Sequence, residues 1–207
     1  MNRDWLLRTH GLLIGTLLAY AVGFRLLPWV LRNWGVPVDL GVAVYPWNFS
    51  PLPALFLFTA ACFRDLRWVF LLPLGACVAG DLGIWALSGR MDYALYPGLA
   101  LVYAGHAITI SLGIWLRKQR GVAPLVGAGL LAECVFFLVT NFGVWWFSGS
   151  MNEVPLYAPT ATGLLECYIA ALPYFKNSLI SMAVFGGLLF GPLLLASRMR
   201  EREFAAE

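Results

Sequence analysis

Four ionisable side chains stand inside otherwise apolar runs: Arg25 in AYAVGFRLLPWV, Asp81 in GACVAGDLGIW, His106 in LVYAGHAITI and Glu133 in GLLAECVFFLV. A lone charge in hydrocarbon costs several kcal/mol, so each is expected to face the protein interior, a partner or water. Two acids, an imidazole and a guanidinium can do three things there. They can grip a polar ligand; they can satisfy one another, as an Arg25–Asp81 ion pair with Glu133 hydrogen-bonded to a Thr or Tyr; or Asp81, Glu133 and His106 can serve as acid–base groups of an intramembrane enzyme. The enzyme reading has the least behind it. Asp81 is the lone aspartate in these runs, whereas an intramembrane aspartyl protease needs two, and metal ligands at i,i+4 spacing are lacking. The expectation is no catalysis, no metal and no cofactor.

The neighbours of these residues extend the polar theme. Glu133 shares a helix face with Thr140, and Asn141 flanks that stripe; His106 shares one with Tyr103 and Thr109; Trp85 lies one turn beyond Asp81. Trp47 and Phe49 bracket Asn48, and Phe142 and Trp145 follow Asn141, so an asparagine-plus-aromatic pattern occurs twice. Amides beside rings suit a flat heterocycle with hydrogen-bonding edges. The expected ligand set is Arg25, Trp47, Asn48, Ser50, Asp81, Trp85, His106, Glu133, Thr140, Asn141, Trp145, Glu166 and Tyr168.

The elements that must position these groups follow from hydropathy. Of 207 residues, 60% are hydrophobic and 12% charged, with a mean hydropathy of +0.76, which is the composition of a polytopic membrane protein. The apolar runs predict an all-α integral membrane protein, a single transmembrane domain over residues 1–207. Six spans are expected, near 10–31, 51–63, 68–87, 95–116, 122–147 and 178–196. The cysteines have no CxxC spacing and read as small apolar side chains, and the net charge of +3 with basic residues at span ends implies no nucleic acid.

Ten of the fourteen basic residues, at 3, 8, 64, 67, 117, 118, 120, 198, 200 and 202, fall on one side of this arrangement. By the positive-inside rule both termini are cytoplasmic, and the expected location is the inner (plasma) membrane. Arg3 and Arg8 precede an apolar run containing Ala19-Tyr20-Ala21, like a signal peptide, but the run continues to Leu31 and is expected to be retained. Counted from these basic borders, the four intramembrane ionisable groups lie ~16–25 Å in, between the midplane and the outer half.

The second run is the unusual one. Thirteen residues cover only ~20 Å of a ~30 Å core. Irregular backbone at membrane depth is tolerated only where protein covers it or a polar cavity borders it. Pro46 to Ser50 is therefore expected to form an extended cavity wall, with Ser50 capping a helix that begins at Pro51 and turns its positive end toward the cavity. A proline-rich loop that merely closes the fold is the alternative. Between Ser148 and Asn177 the run at 163–174 is too short to span and reads as an interfacial or re-entrant helix before the sixth span, a lid to which Glu166 and Tyr168 would contribute.

On the first span Gly11, Gly15, Ala19 and Gly23 recur every fourth residue, a smooth face for close helix approach, within the chain or to a partner. The Pro-x-Asn-Phe-x-Pro pattern at Pro46–Pro51, FFLVTNFGVWW at Phe136–Trp146 and GLLECYIAALPYFKNSL at Gly163–Leu179 resemble a family of uncharacterised bacterial integral membrane proteins. More distantly, the span number and the first-helix face resemble the substrate-binding S components of energy-coupling factor (ECF) vitamin transporters. That resemblance implies an extracytoplasmic pocket for a vitamin or related micronutrient, and a transmembrane coupling subunit that meets Gly11, Gly15 and Ala19; Gly23, on the same face, completes the expected docking set. The chain has no GxxxxGK[ST] motif, so ATPases would be separate partners. The expected function is capture of a small micronutrient for uptake; a membrane scaffold without transport is the further alternative.

Overall fold

The structure, a computed structural model, describes residues 3–38, 49–119, 121–151 and 155–206. They form six α-helices: α1 Arg3–Asn33, α2 Leu52–Cys62, α3 Leu66–Ser88, α4 Leu99–Leu116, α5 Val122–Met151 and α6 Ala161–Ala206, with a short 3₁₀ turn at Met91–Tyr93. Five contain segments long and apolar enough to cross a membrane: Gly11–Asn33, Leu66–Ser88, Leu99–Leu116, Val122–Gly149 and Ala161–Ala196. Large apolar side chains are exposed on all five, among them Leu12, Leu71, Ile114, Leu138 and Leu188. A soluble domain seldom leaves such a continuous apolar surface to water; a lipid-facing bundle does.

The helix ends are set by local chemistry. At the end of α1, Gly35 takes a φ of +80°, Val36 N–H donates to Leu31 O and Gly35 N–H to Arg32 O, each at 3.0 Å. This is a Schellman motif, and glycine supplies its left-handed residue. Asp65 caps α3 by accepting from Arg67 N–H at 3.0 Å. Gly89 ends α3 in the left-handed region, with φ 68°.

α2 organises the interior. Its 11 residues are apolar on every side, so it has no face to offer water and must be surrounded. Leu55, Phe56, Phe58 and Ala60 are completely buried. α2 packs against α1, α3, α4, α5 and α6, while α1 lies on α3, α4 on α5 and α5 on α6. α4 approaches closely at Gly113, where a Cβ would stand 2.5 Å from Ala60 Cβ and 2.7 Å from Leu57 O. Arg117, at the end of α4, donates from Nε to Ala60 O at 2.7 Å and from Nη2 to Phe63 O at 2.6 Å. A cation thus meets the carbonyl end of α2, the favourable sense for a helix dipole.

The expected short second helix is present. Its start differs slightly: the regular helix begins at Leu52, and Pro51 occupies the flanking position in helical dihedrals. Ser50 Oγ accepts from Leu52 N–H at 3.3 Å, so the serine still serves the first turn. The region before the sixth span differs more. The separate interfacial helix expected over 163–174 is not a separate element, because α6 runs unbroken through 46 residues and contains Pro173 and Pro192. At 1.5 Å per residue that is roughly 69 Å, more than twice the hydrocarbon thickness. Proline at 173 removes one ladder donor without ending the helix. Lys176 is exposed, and Asn177 and Ser178 are only partly buried, so the polar triplet does not interrupt it.

Candidate functional site

α2 is too short to fill the bundle, and a cavity of about 330 Å³ lies beyond its first turn. α1 supplies Tyr20, Ala21, Phe24 and Arg25; the approach to α2 supplies Phe49 and Ser50; α2 itself supplies Leu52 and Pro53. Tyr96 enters from the α3–α4 connection, Val102 and His106 from α4, Glu133, Phe136 and Thr140 from α5, and Ser178 from α6.

The non-helical backbone at Phe49 and Ser50 reaches well into the bundle. Tyr20 lies near the middle of the α1 span, and its hydroxyl donates to Phe49 O at 3.1 Å. Ser181 lies near the middle of the α6 span, and its hydroxyl donates to Ser50 O. Two carbonyls outside any helix are thereby satisfied by side chains where lipid would leave them bare.

Arg25 forms an ion pair with Asp81 of α3, and Tyr103 Oη donates to Asp81 Oδ2 at 3.1 Å. Gly80 makes the crossing possible, since a Cβ there would lie 2.8 Å from Arg25 Cδ. Of the two partners Arg25 lines the cavity; Asp81 supports it from behind. The Arg25–Asp81 pair weighed from the sequence therefore exists, and it also serves the cavity wall.

His106 and Glu133 are in a different condition. The His106 imidazole is stacked between Phe56, at 4.3 Å between ring centroids, and Phe136, at 5.0 Å. Glycine at 105 admits the second ring, because a Cβ there would lie 2.6 Å from Phe136 Cδ2. His106 is 5% exposed and Glu133 1%. Neither His106 Nδ1 nor Glu133 Oε1 has a hydrogen-bond partner among the described residues. The expected Thr or Tyr partner of Glu133 is thus missing at Oε1. Glu133 precedes Phe136 by one helical turn and so shares its helix face, and the carboxyl, the ring and the imidazole line one cavity.

A second cavity of about 200 Å³ adjoins the first, lined by Phe137, Asn141, Tyr174 and Phe175, and it shares Glu133, Phe136, Thr140 and Ser178 with it. Thr140 donates to Phe136 O and Asn141 Nδ2 to Phe137 O, each at 2.8 Å. Both thus spend donors on their own helix.

The sequence-predicted set divides accordingly. Arg25, Ser50, His106, Glu133 and Thr140 come together on one cavity, Asp81 stands directly behind it and Asn141 borders its neighbour. Trp47 and Asn48 lie outside the described residues. The other four do not reach either cavity. Trp85 is exposed on α3; Trp145 Nε1 donates to Ala158 O at 2.9 Å, bracing the turn into α6. Tyr168 donates to Leu138 O at 2.9 Å. Glu166 is exposed on α6; like Tyr168 it belongs to a helix wall, and the lid expected of these two does not form. Tyr20, Phe24, Tyr96 and Phe136, absent from the set expected from the sequence, are wall residues as well. The available signal was spacing: Tyr20 and Phe24 stand four apart and stack at 4.7 Å, on the turn that carries Arg25. Tyr96 lies outside the spans, and burial pushes its phenol above the ordinary value, against a smaller opposing pull from Arg25.

The expected docking stripe has a clear placement. Gly15, Ala19 and Gly23 are exposed and Gly11 is partly so. No described atom comes within 4 Å of a Cβ built at Gly11, Gly15 or Gly23. The opposite face, with Ile14, Leu17 and Ala21, is the one buried in the bundle.

An all-helical, multi-pass membrane protein with a largely apolar cavity that carries a few polar side chains is the class these features define. Residues 7–204 match a family of unknown function, DUF6580, and the chain belongs to that family. Neither the curated proteins nor the solved structures contain a significant match.

Proposed function

We propose that the protein is a substrate-binding membrane subunit that captures a small, vitamin-like or heterocyclic micronutrient for uptake. The observation that carries this reading is the cavity at the head of α2, to whose wall four segments of chain bring Arg25, Ser50, His106, Glu133 and Thr140. About 330 Å³ is at the small end of ligand sites, and apolar walls with a few placed polar groups are their usual makeup. The basic residues Arg64, Arg67, Arg117 and Lys118 stand at the opposite end of the bundle, which by the positive-inside rule turns the cavity away from the cytoplasm. Binding without catalysis is favoured because Asp81 is already engaged by Arg25 and Tyr103, which removes one of three would-be acid–base groups.

The exposed stripe of Gly15, Ala19 and Gly23 supports a transmembrane coupling subunit as partner, with ATPases supplying energy. The test is binding of a micronutrient panel to the purified protein, repeated on Ala21→Trp, which places an indole in the cavity wall. Saturable binding by the parent and its loss in the variant are expected. Absence of binding by the folded parent, together with no co-purifying coupling subunit, would defeat the proposal.

A further inference from the structure

Charge matching around the cavity narrows the substrate class, and this step rests on the reading of the cavity as a ligand site. Arg25 is neutralised by Asp81, so the guanidinium makes no demand for an anionic ligand. Glu133 is the opposite case: a carboxyl 1% exposed, with Oε1 unpartnered among the described residues. The His106 imidazole, brought to the same cavity by α4 and fixed between two phenyl rings, has its Nδ1 unpartnered as well. A buried acceptor without a donor costs on the order of 1–3 kcal/mol, and the penalty disappears when a ligand supplies the donor.

We infer that the ligand is a flat nitrogen heterocycle carrying an N–H donor beside a ring nitrogen on one edge, and that this edge meets Glu133 and His106. An amino group next to a ring nitrogen donates to the carboxyl oxygen and can also serve an imidazole nitrogen in either tautomer. Tyr20, Phe24, Phe49 and Phe136 supply ring faces for the heterocycle to lie on. Such faces also favour a ligand with positive charge over an anion. An aromatic acid fits less well, because its carboxylate brings no N–H donor to Glu133 Oε1.

Purified protein in one detergent is titrated with aminopyrimidine, unsubstituted pyrimidine and a pyridine carboxylate, and the micronutrient panel is run beside them. Aminopyrimidine should bind at least about tenfold more tightly than pyrimidine, and Glu133→Gln should weaken it by roughly ten- to hundredfold, the size of a charge-assisted hydrogen bond. Glu133→Gln must melt with the parent for the comparison to count; if it does not, His106→Asn, expected to weaken aminopyrimidine by about tenfold, takes its place.

Preference for the pyridine carboxylate overturns the inference and leaves ligand capture standing. So does equal affinity for aminopyrimidine in parent and variant, or a panel ligand that binds without any N–H donor. If no probe and no panel member binds the folded parent, the capture reading falls with it.

Discussion

The Arg25–Asp81 pair can be tested as a unit. Arg25→Met keeps the apolar stem and removes the charged fork, leaving Asp81, whose side chain is 8% exposed, with the Tyr103 hydroxyl as its remaining contact of the two. Removing one partner of a fully buried pair costs about 3–5 kcal/mol. The Arg25 side chain is 31% exposed, so screening lowers the expectation to about 2–3 kcal/mol. In a chain of this length each kcal/mol moves the melting midpoint by roughly 2–4 °C, which predicts a fall of about 4–12 °C. Arg25→Met/Asp81→Asn removes the orphaned charge as well and should fall short of the sum of the single losses by about 2 kcal/mol. Gly80→Ala supplies a third arm: it crowds Arg25 Cδ and should reproduce part of the loss in the parent yet have little effect once Arg25 is methionine. The readout is the fraction of monodisperse protein left after heating in one detergent. Additivity of the two single losses to within about 0.5 kcal/mol would refute the coupling, and with it the view that the pair fixes this wall.

Three further outcomes follow from the packing. Gly113→Ala should destabilise by about 1–3 kcal/mol or prevent folding, because its Cβ meets the backbone of α2; Gly127→Ala, with nothing within 4 Å, should be neutral or stabilise by up to about 1 kcal/mol, and thermal unfolding of the two separates contact from propensity. Arg117→Ala should cost about 2 kcal/mol by releasing the carbonyls of Ala60 and Phe63, and Arg117→Lys should restore only part of it, since an ammonium cannot hold both in a planar fork. Gly15→Leu should leave the melting midpoint within about 2 °C of the parent, as no described atom lies near that position, while abolishing co-purification of a coupling subunit; a large loss of stability would instead show that this face packs within the chain.

Much of the fold was written in hydropathy. Five helices coincide with apolar runs, and the deficit of α2 followed from counting thirteen apolar residues against a ~30 Å core. The continuity of α6 was hidden for a physical reason: Pro173 followed by Lys176, Asn177 and Ser178 has the composition of a break. Helical hydrogen bonds are local and tolerate one missing donor, so composition did not decide the outcome. Within the site, residues that had to be inside could be named because hydrocarbon penalises them, and Arg25, Asp81, His106 and Glu133 are all at or behind the cavity. Residues picked for being polar or aromatic near an interface, such as Trp85, Trp145 and Glu166, carry no such penalty and are free to face outward. The wall aromatics were invisible for the converse reason, since a ring is equally at home against lipid, core or ligand.

The cavity is a geometric consequence of the short central helix. α2 supplies ~17 Å of a ~30 Å depth, so some 13 Å of a cylinder ~10 Å across, about 1,000 Å³, is left between α1, α4, α5 and α6. These helices cannot collapse into it, because α2 holds them apart below, where Gly113 and Ala60 are already in contact. Side chains must fill the gap, and the wall residues leave about 330 Å³. A helix running the whole depth would have brought its own satisfied backbone there and left no place for Glu133 or His106 except lipid. Shortening the helix places the burden on Tyr20 and Ser181, whose hydroxyls satisfy the exposed carbonyls of Phe49 and Ser50. The same gap gives an acid and an imidazole a position at membrane depth, under protein cover, with hydrogen-bonding capacity still unspent.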